Sequence, residues 1–310
     1  MASFDISTFF AGSRTAGSSL TIKGEVAAQP VAGPPGTGPA VYLLLTDPNK
    51  LIRYNPLRNT ITTVSKKIKG SPSGLTLSSD GRYGYVLTDA KEMYPYGATT
   101  VTEIDLATHR TLLTAKFSES LGAAASVNRS TLVFGGQNEN NLIVVNSDLL
   151  TTRATIALPA PSQSVGSYGN GGINPITVLG NGDVAAAMAG VGGAPDHRVA
   201  VVNLTARTVL KVVSTAGQPR AVLGIPHSGN LYVLDFNNGQ LRLVNGTLGA
   251  VIKTVQIPSN EGASAASSPN GTTLYVTSGS YLYAVSATTG LVDNRWSFTA
   301  PEFAYLTVTH

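Results

Sequence analysis

Residues 261–299 read EGASAASSPNGTTLYVTSGSYLYAVSATTGLVDNRWSFT, and this stretch decides the fold. A small-residue strand ends at Ser268, and Pro269-Asn270-Gly271 forms a turn. Thr273 to Thr277 makes a second strand, and Tyr281 to Val285 a third after Ser278-Gly279-Ser280. Thr288-Thr289-Gly290 turns the chain into a fourth strand, Leu291 to Phe298. Four short β-rich runs joined by Asn, Gly and Ser turns predict a four-stranded antiparallel meander, strands A to D. One such sheet cannot bury both of its faces alone, so the physical remedy is repetition.

Working back along the chain, the unit recurs. Val41 to Thr46, Leu51 to Asn55 and Ile61 to Ile68 match strands B, C and D. A full copy follows with Gly74 to Ser78, Tyr83 to Thr88, Val101 to Asp105 and Thr111 to Phe117. Further copies run from Glu119 to Pro159, from Ile176 to Val213, and from Ala221 to Ile257. Pro301 to Val308 resembles Pro72 to Leu77, which makes it a strand A with no successors. The first copy has B, C and D without A. The expected fold is therefore all-β, a six-bladed β-propeller of four-stranded antiparallel blades, with the ring closed by the C-terminal strand (residues 303–308) in blade 1. A seventh blade would need residues 4 to 28, whose patterning is weak. Residues 1–39 are expected to form an N-terminal arm with the Pro/Gly-rich connector 30–39, and residues 40–310 the propeller. Phe4, Ile6, Phe9 and Phe10 equip the arm to dock on the ring or on an oligomeric partner, and Leu20 to Ile22 reads as an added edge strand.

Composition agrees with many short strands. The 310 residues are 42% hydrophobic and 12% charged, with 33 glycines. The net charge of +4 is spread thinly, and Lys66-Lys67 with Lys69 is the densest basic run. A nucleic-acid footprint needs a concentrated patch, so no nucleic-acid partner is expected. The absence of cysteine excludes disulfides and thiolate chemistry. No apolar run reaches the roughly 18 residues of a membrane span. The start MASFDISTFFAGSR lacks a basic n-region and an apolar core, which favours a cytoplasmic over a secreted protein. Sequons at Asn128, Asn203, Asn245 and Asn270 permit glycosylation on secretion, but Asn, Ser and Thr are also ordinary turn residues.

Ser268-Pro269-Asn270-Gly271 with Leu274-Tyr275-Val276-Thr277, and Ser79-Asp80-Gly81 with Tyr85-Val86-Leu87-Thr88, resemble the repeats of YVTN-type β-propellers. That family contains surface-layer and lactonase-like propellers. The partial forms Leu231 to Asp235 and Ile104 to Thr108 belong to the same pattern, so the resemblance covers residues 40 to 310. It implies the propeller fold, and a lactonase-like hydrolase among the family's activities. Fold alone does not carry activity.

Repeat phasing puts the AB and CD turns on one face and the BC and DA loops on the other. Length variation falls in the BC and DA connections 89–99, 136–141, 159–174 and 189–198, where function on a rigid ring is expected. Asn174, Arg220, Glu261 and Glu302 approach the axis at the starts of strands A. The two glutamates would share a proton, bind a divalent cation with Asn174, or act as acid and base; Arg220 would hold a carboxylate or a developing oxyanion. A salt-linked channel rim explains the same charges equally well. His197, beside Asp196 in a long BC loop, is the histidine placed to serve as a base, while His109 and His227 fall in turns on the other face. Tyr94, Tyr96, Tyr168 and Asp89 form a second cluster that would stack on a sugar or a flat apolar ligand, or simply pack the loops.

Two functions follow. One is a small-molecule-binding propeller, either a lactonase-like hydrolase or an isomerase/cyclase, acting on a metabolite at the channel mouth. The other is a non-enzymatic protein- or glycan-interaction module. Low charge and the docking arm suit the second.

Overall fold

Strand B of most repeats and strand C of several carry near-continuous apolar runs, which is the signature of strands covered on both faces. In the computed structural model this is how they sit. The structure describes residues 3–9, 16–23, 25–26, 31–32, 40–46, 49–55, 58, 60–89, 97–136, 140–159, 173–188, 196–215, 217–225, 227–235, 239–257, 262–268, 271–278 and 281–297.

The first described elements are β1 (Ser3–Phe9) and β2 (Ala16–Lys23), an antiparallel pair forming its own two-stranded sheet rather than a four-stranded blade. Blade 1 follows with β3 (Glu25–Val26), β4 (Val31–Ala32), β5 (Val41–Thr46), β6 (Lys50–Asn55) and β7 (Thr60–Ser65). Blade 2 contains β8 (Ser71–Leu77), β9 (Tyr83–Asp89), β10 (Thr99–Asp105) and β11 (Arg110–Phe117). Blade 3 contains β12 (Leu121–Asn128), β13 (Thr131–Gly136), β14 (Asn141–Asn146) and β15 (Thr151–Ala157). Blade 4 is β16 (Ile173–Val178), β17 (Val184–Met188), β18 (Arg198–Asn203) and β19 (Thr208–Ser214). Blade 5 is β20 (Pro219–Gly224), β21 (Asn230–Asp235), β22 (Gln240–Asn245) and β23 (Ala250–Gln256). Blade 6 is β24 (Gly262–Ser267), β25 (Thr273–Ser278), β26 (Tyr281–Ser286) and β27 (Val292–Ser297). Each is a meander of antiparallel neighbours, and the first strands of successive blades adjoin one another toward the axis. The fold is a six-bladed, four-stranded antiparallel β-propeller.

The expected closure by the C-terminal strand is corrected. The inner place beside β5 is taken by β3 and β4, from the N-terminal side. Glu25 and Val26 pair with Thr46 and Leu45, and Val31 and Ala32 with Tyr42 and Val41. Together they make one broken antiparallel strand, and Pro30, which has no N–H to give, directly precedes its second half. Among the described residues no sheet closes on itself through hydrogen bonds. Residues 301–310 lie outside the described residues.

The core is a series of layers between blades. Leu132 and Phe134 of β13 face blade 2, with Tyr85, Leu87 and Val101. Val133 between them faces blade 4, with Val184, Ala186 and Met188. The same alternation links blades 1 and 2, 4 and 5, and 5 and 6. A strand such as β13 thus serves two layers, and a one-residue slip would exchange them.

The CD turns explain the repeat's polar punctuation. Asp105, Asn146, Asn203, Asn245 and Ser286 each accept a hydrogen bond from a backbone N–H two or three residues on, at 2.7–3.1 Å. The turn ends on a residue in left-handed conformation: His109, Leu150, Arg207, Gly249 or Gly290. Three residues later the outer strand carries a bulge, at Leu112, Arg153, Leu210, Ile252 and Asp293. Bulges twist an edge strand and break its ladder, which protects the open outer edges from pairing with other chains. The sequon residues Asn203 and Asn245 are used in these turns, and Asn203 also donates to Asp183 at 2.9 Å.

Candidate functional site

The strand ends that lead into the BC and DA connections lie on one face, as the repeat phase predicts. In five blades a backbone bond extends the ladder between strands C and D onto this face, donated from the strand-D side in blades 1, 3, 4 and 5 and from the strand-C side in blade 2. Ile68, Thr99, Leu158, Thr215 and Ile257 each appear in it: for Thr99 the N–H donates to Glu119 O at 3.1 Å, and for Thr215 to His197 O at 2.6 Å.

The junction of blades 4 and 5 on this face collects buried charge. Asp235 ends β21 and is fully buried; it stands opposite Gln240, the first residue of β22. Side chains two apart on a strand share a face, so Arg242 lies beside Gln240 and reaches back. Its Nε donates to Asp235 Oδ2 at 2.8 Å, and its other arm donates to the Gln240 side-chain oxygen. Among the described residues Asp235 Oδ1 is buried with no partner at hydrogen-bonding distance. Burial therefore dominates and raises the Asp235 carboxyl above its ordinary range, against the opposing pull of Arg242, the Gly217 amide and His197. From blade 4, Asp196 and Arg198 form a two-pronged pair, Nε to Oδ1 at 2.7 Å and Nη2 to Oδ2 at 2.6 Å. That bond, with some help from charge, raises the Arg198 guanidinium pKa further.

A second junction, between blades 2 and 3, uses the equivalent carboxylate. Asp89 ends β9 and accepts from Thr99 Oγ1 at 2.9 Å; that hydroxyl in turn accepts the Leu121 N–H of the next blade at 2.8 Å. All three residues are buried. The sequence reading placed Asp89 with the loop tyrosines. Among the described residues its side chain serves the blade-to-blade relay.

Of the residues singled out from sequence, His197 is half-buried at the mouth of blade 4, close enough to Asp235 to act on its charge. Both oxygens of Asp196 accept from Arg198. Asn174 and Arg220 stand in the first strands β16 and β20, as the phase predicts, but their side chains lie outside the described residues. Glu261, Glu302, Tyr94, Tyr96 and Tyr168 also lie outside them. Among the described residues no three His, Cys, Asp or Glu side chains gather as a metal site. The pairs Asp235–Arg242 and Asp196–Arg198 were missed by sequence reasoning. For Asp235–Arg242 the available signal was an Asp closing strand B followed by an Arg at the second same-face position of strand C; for Asp196–Arg198 it was an Asp two residues before an Arg that opens strand C.

No family model and no curated protein matches the chain. Solved structures do: 1536 chains match, so the fold is too common to single out one activity. One is a chain of the "Crystal Structure of Mitotic Checkpoint Complex", at 15% sequence identity and a TM-score of 0.66, covering 87% of this chain and 76% of that one. At this identity the likeness establishes the propeller scaffold, a framework able to bind a ligand or a partner.

Proposed function

We propose that this chain is a non-enzymatic interaction module whose partner is a protein. The observation that carries this reading is the division of its surface. Among the described residues the buried charges on the BC/DA face are engaged in bracing the blades, Arg198 with Asp196, Arg242 with Asp235, and Asp89 with the Thr99 hydroxyl. Large apolar side chains stay exposed on the outer strands and CD turns, among them Leu112, Leu149, Leu210, Leu248, Ile252 and Leu291. The resemblance of its strand-B motifs to surface-layer propellers of the YVTN type accords with this. So does the likeness in fold to a chain of a multiprotein complex. The lactonase-like reading would rest on Glu261, Glu302, Arg220 and His197, with a divalent cation held by the glutamates and Asn174.

The test sets the two readings against each other. Purified protein is offered a panel of lactones, with and without divalent cations, and separately an array of synthetic peptides of varied composition. The interaction reading expects saturable peptide binding and no turnover. Lactone hydrolysis that disappears in His197→Ala or Glu261→Gln would overturn it.

A further inference from the structure

The exposed apolar side chains are not scattered. On blades 4 to 6 they follow the rim at the CD-turn end: Leu210, Leu248, Val251, Ile252, Leu291 and Val292. Leu248, Ile252 and Leu291 are 69%, 54% and 66% exposed, high values for residues this apolar. Adjacent blades make the line continuous. The CD turn of blade 5 lies on the outer strand of blade 4, where a Cβ on Gly249 would stand 3.4 Å from the Lys211 side chain. The CD turn of blade 6 lies in the same way on blade 5, with the Gly290 position against Val255 and Lys253. Leu248 is therefore carried to blade 4, next to the strand bearing Leu210, and Leu291 to blade 5, next to the strand bearing Ile252.

Charge along this rim is one-sided. Arg207, Lys211 and Lys253 flank the apolar line, and Asp293 is the carboxylate among the described residues of these outer strands and turns. The bulges at Leu210, Ile252 and Asp293 interrupt each outer ladder. An occupant would thus be held by side chains rather than by adding a strand.

We propose that the outer rim of blades 4 to 6 is a docking surface for a protein segment in which large apolar side chains alternate with carboxylates. This rests on the interaction-module reading and names its surface and partner class. Leucine-sized groups cover Leu210, Leu248, Ile252 and Leu291, and the carboxylates meet Arg207, Lys211 and Lys253. Electrostatic complementarity sets the preference for an acidic partner, while apolar burial supplies most of the affinity.

The test uses the full chain and a fluorescent peptide of alternating Leu and Asp, about 12 residues long for an extended reach of roughly 40 Å. A Leu/Lys peptide of the same length serves as comparison. The acidic peptide should bind and the basic one should not. Leu248→Glu with Ile252→Glu should weaken binding by at least about tenfold, the loss expected on removing central anchors. Leu112→Glu, on the rim of blade 2, should leave it unchanged, and melting of each variant shows that folding is intact. Leu248→Ser with Ile252→Ser, which adds no charge, should also weaken binding. Equal binding of both peptides, or binding indifferent to the rim variants, overturns the rim while sparing the interaction reading. Concentration-dependent self-association abolished by Leu248→Glu would assign the rim to a second copy of this chain and overturn the proposal. Rim-dependent binding to vesicles rich in phosphatidylserine, with no peptide bound, would do the same. Failure of every peptide in the array overturns the interaction reading itself.

Discussion

Asp235 and Arg242 meet across the mouth of blade 5, Nε to Oδ2 at 2.8 Å, with the carboxylate side chain fully buried and the guanidinium nearly so. A pair like this contributes little beyond what an apolar pair of the same shape would, but losing one partner strands a charge. Arg242→Ala should destabilise the fold by about 3–5 kcal/mol. The double variant Asp235→Leu with Arg242→Met should recover most of that loss. Chemical denaturation of the three proteins checks both. If Arg242→Ala unfolds like wild type, the pair does not brace the blade.

Glu103 and Asp105 sit two residues apart on β10 and respond oppositely to pH. Hydrogen bonds from Thr108, then Ala107, hold the Asp105 carboxyl below its ordinary value, and burial pushes Glu103 up. The unfolded chain binds a proton at Asp105 more readily than the fold does. The stability it contributes is thus present above the ordinary aspartate value and lost as pH falls through the lowered one. For Glu103 the folded state holds the proton longer, so stability declines as pH rises from the ordinary glutamate value through the raised one. Asp105→Asn should flatten the acid limb of a melting-temperature profile, since Asn fills this turn position in blades 3, 4 and 5. Glu103→Gln should melt higher than wild type near neutral pH.

The last residue of the CD turn gives a third test. Gly290 has φ 68°, and a Cβ there would meet Val255 Cγ2 at 2.6 Å and Lys253 Cε at 2.8 Å. Gly290→Ala should lose at least about 1–2 kcal/mol from the left-handed backbone alone. His109 occupies the same turn position with φ 61°. His109→Gly should raise stability, by less than about 1 kcal/mol because glycine also frees the unfolded chain. A gain in both, or a loss in both, would mean that the turn geometry is not what limits these positions.

The inner strand of blade 1 is a fourth. Deleting residues 25–32 should unpair the inner edge of β5 and leave buried backbone groups without partners. The expected result is faster amide exchange through residues 41–46 and a broadened melt. Unchanged protection there would show that another segment pairs with β5.

Much of this architecture was legible in residue order because its signals are local. Asn-Gly and Asp-Gly turns, the Asp, Asn or Ser opening each CD turn, and apolar runs such as Leu231 to Leu234 act within a few residues, so phase, blade number and loop faces could be read directly. Candidate sites were legible only as positions. The phase placed Asn174 and Arg220 in first strands and His197 at the mouth of blade 4, yet gave no sign that Arg198 takes both oxygens of Asp196. The inner strand of blade 1 could be settled only in three dimensions. Glu25–Val26 with Val31–Ala32, and Phe303 to Val308, are both short and β-compatible, and ladder hydrogen bonds come from backbone groups that every such segment carries. Pairing between distant segments is decided by which one the chain can bring into place, and that is a property of the assembled ring. The charged pairs follow the same logic: whether Asp235 finds Arg242 depends on register and burial, which exist only once the strands have paired.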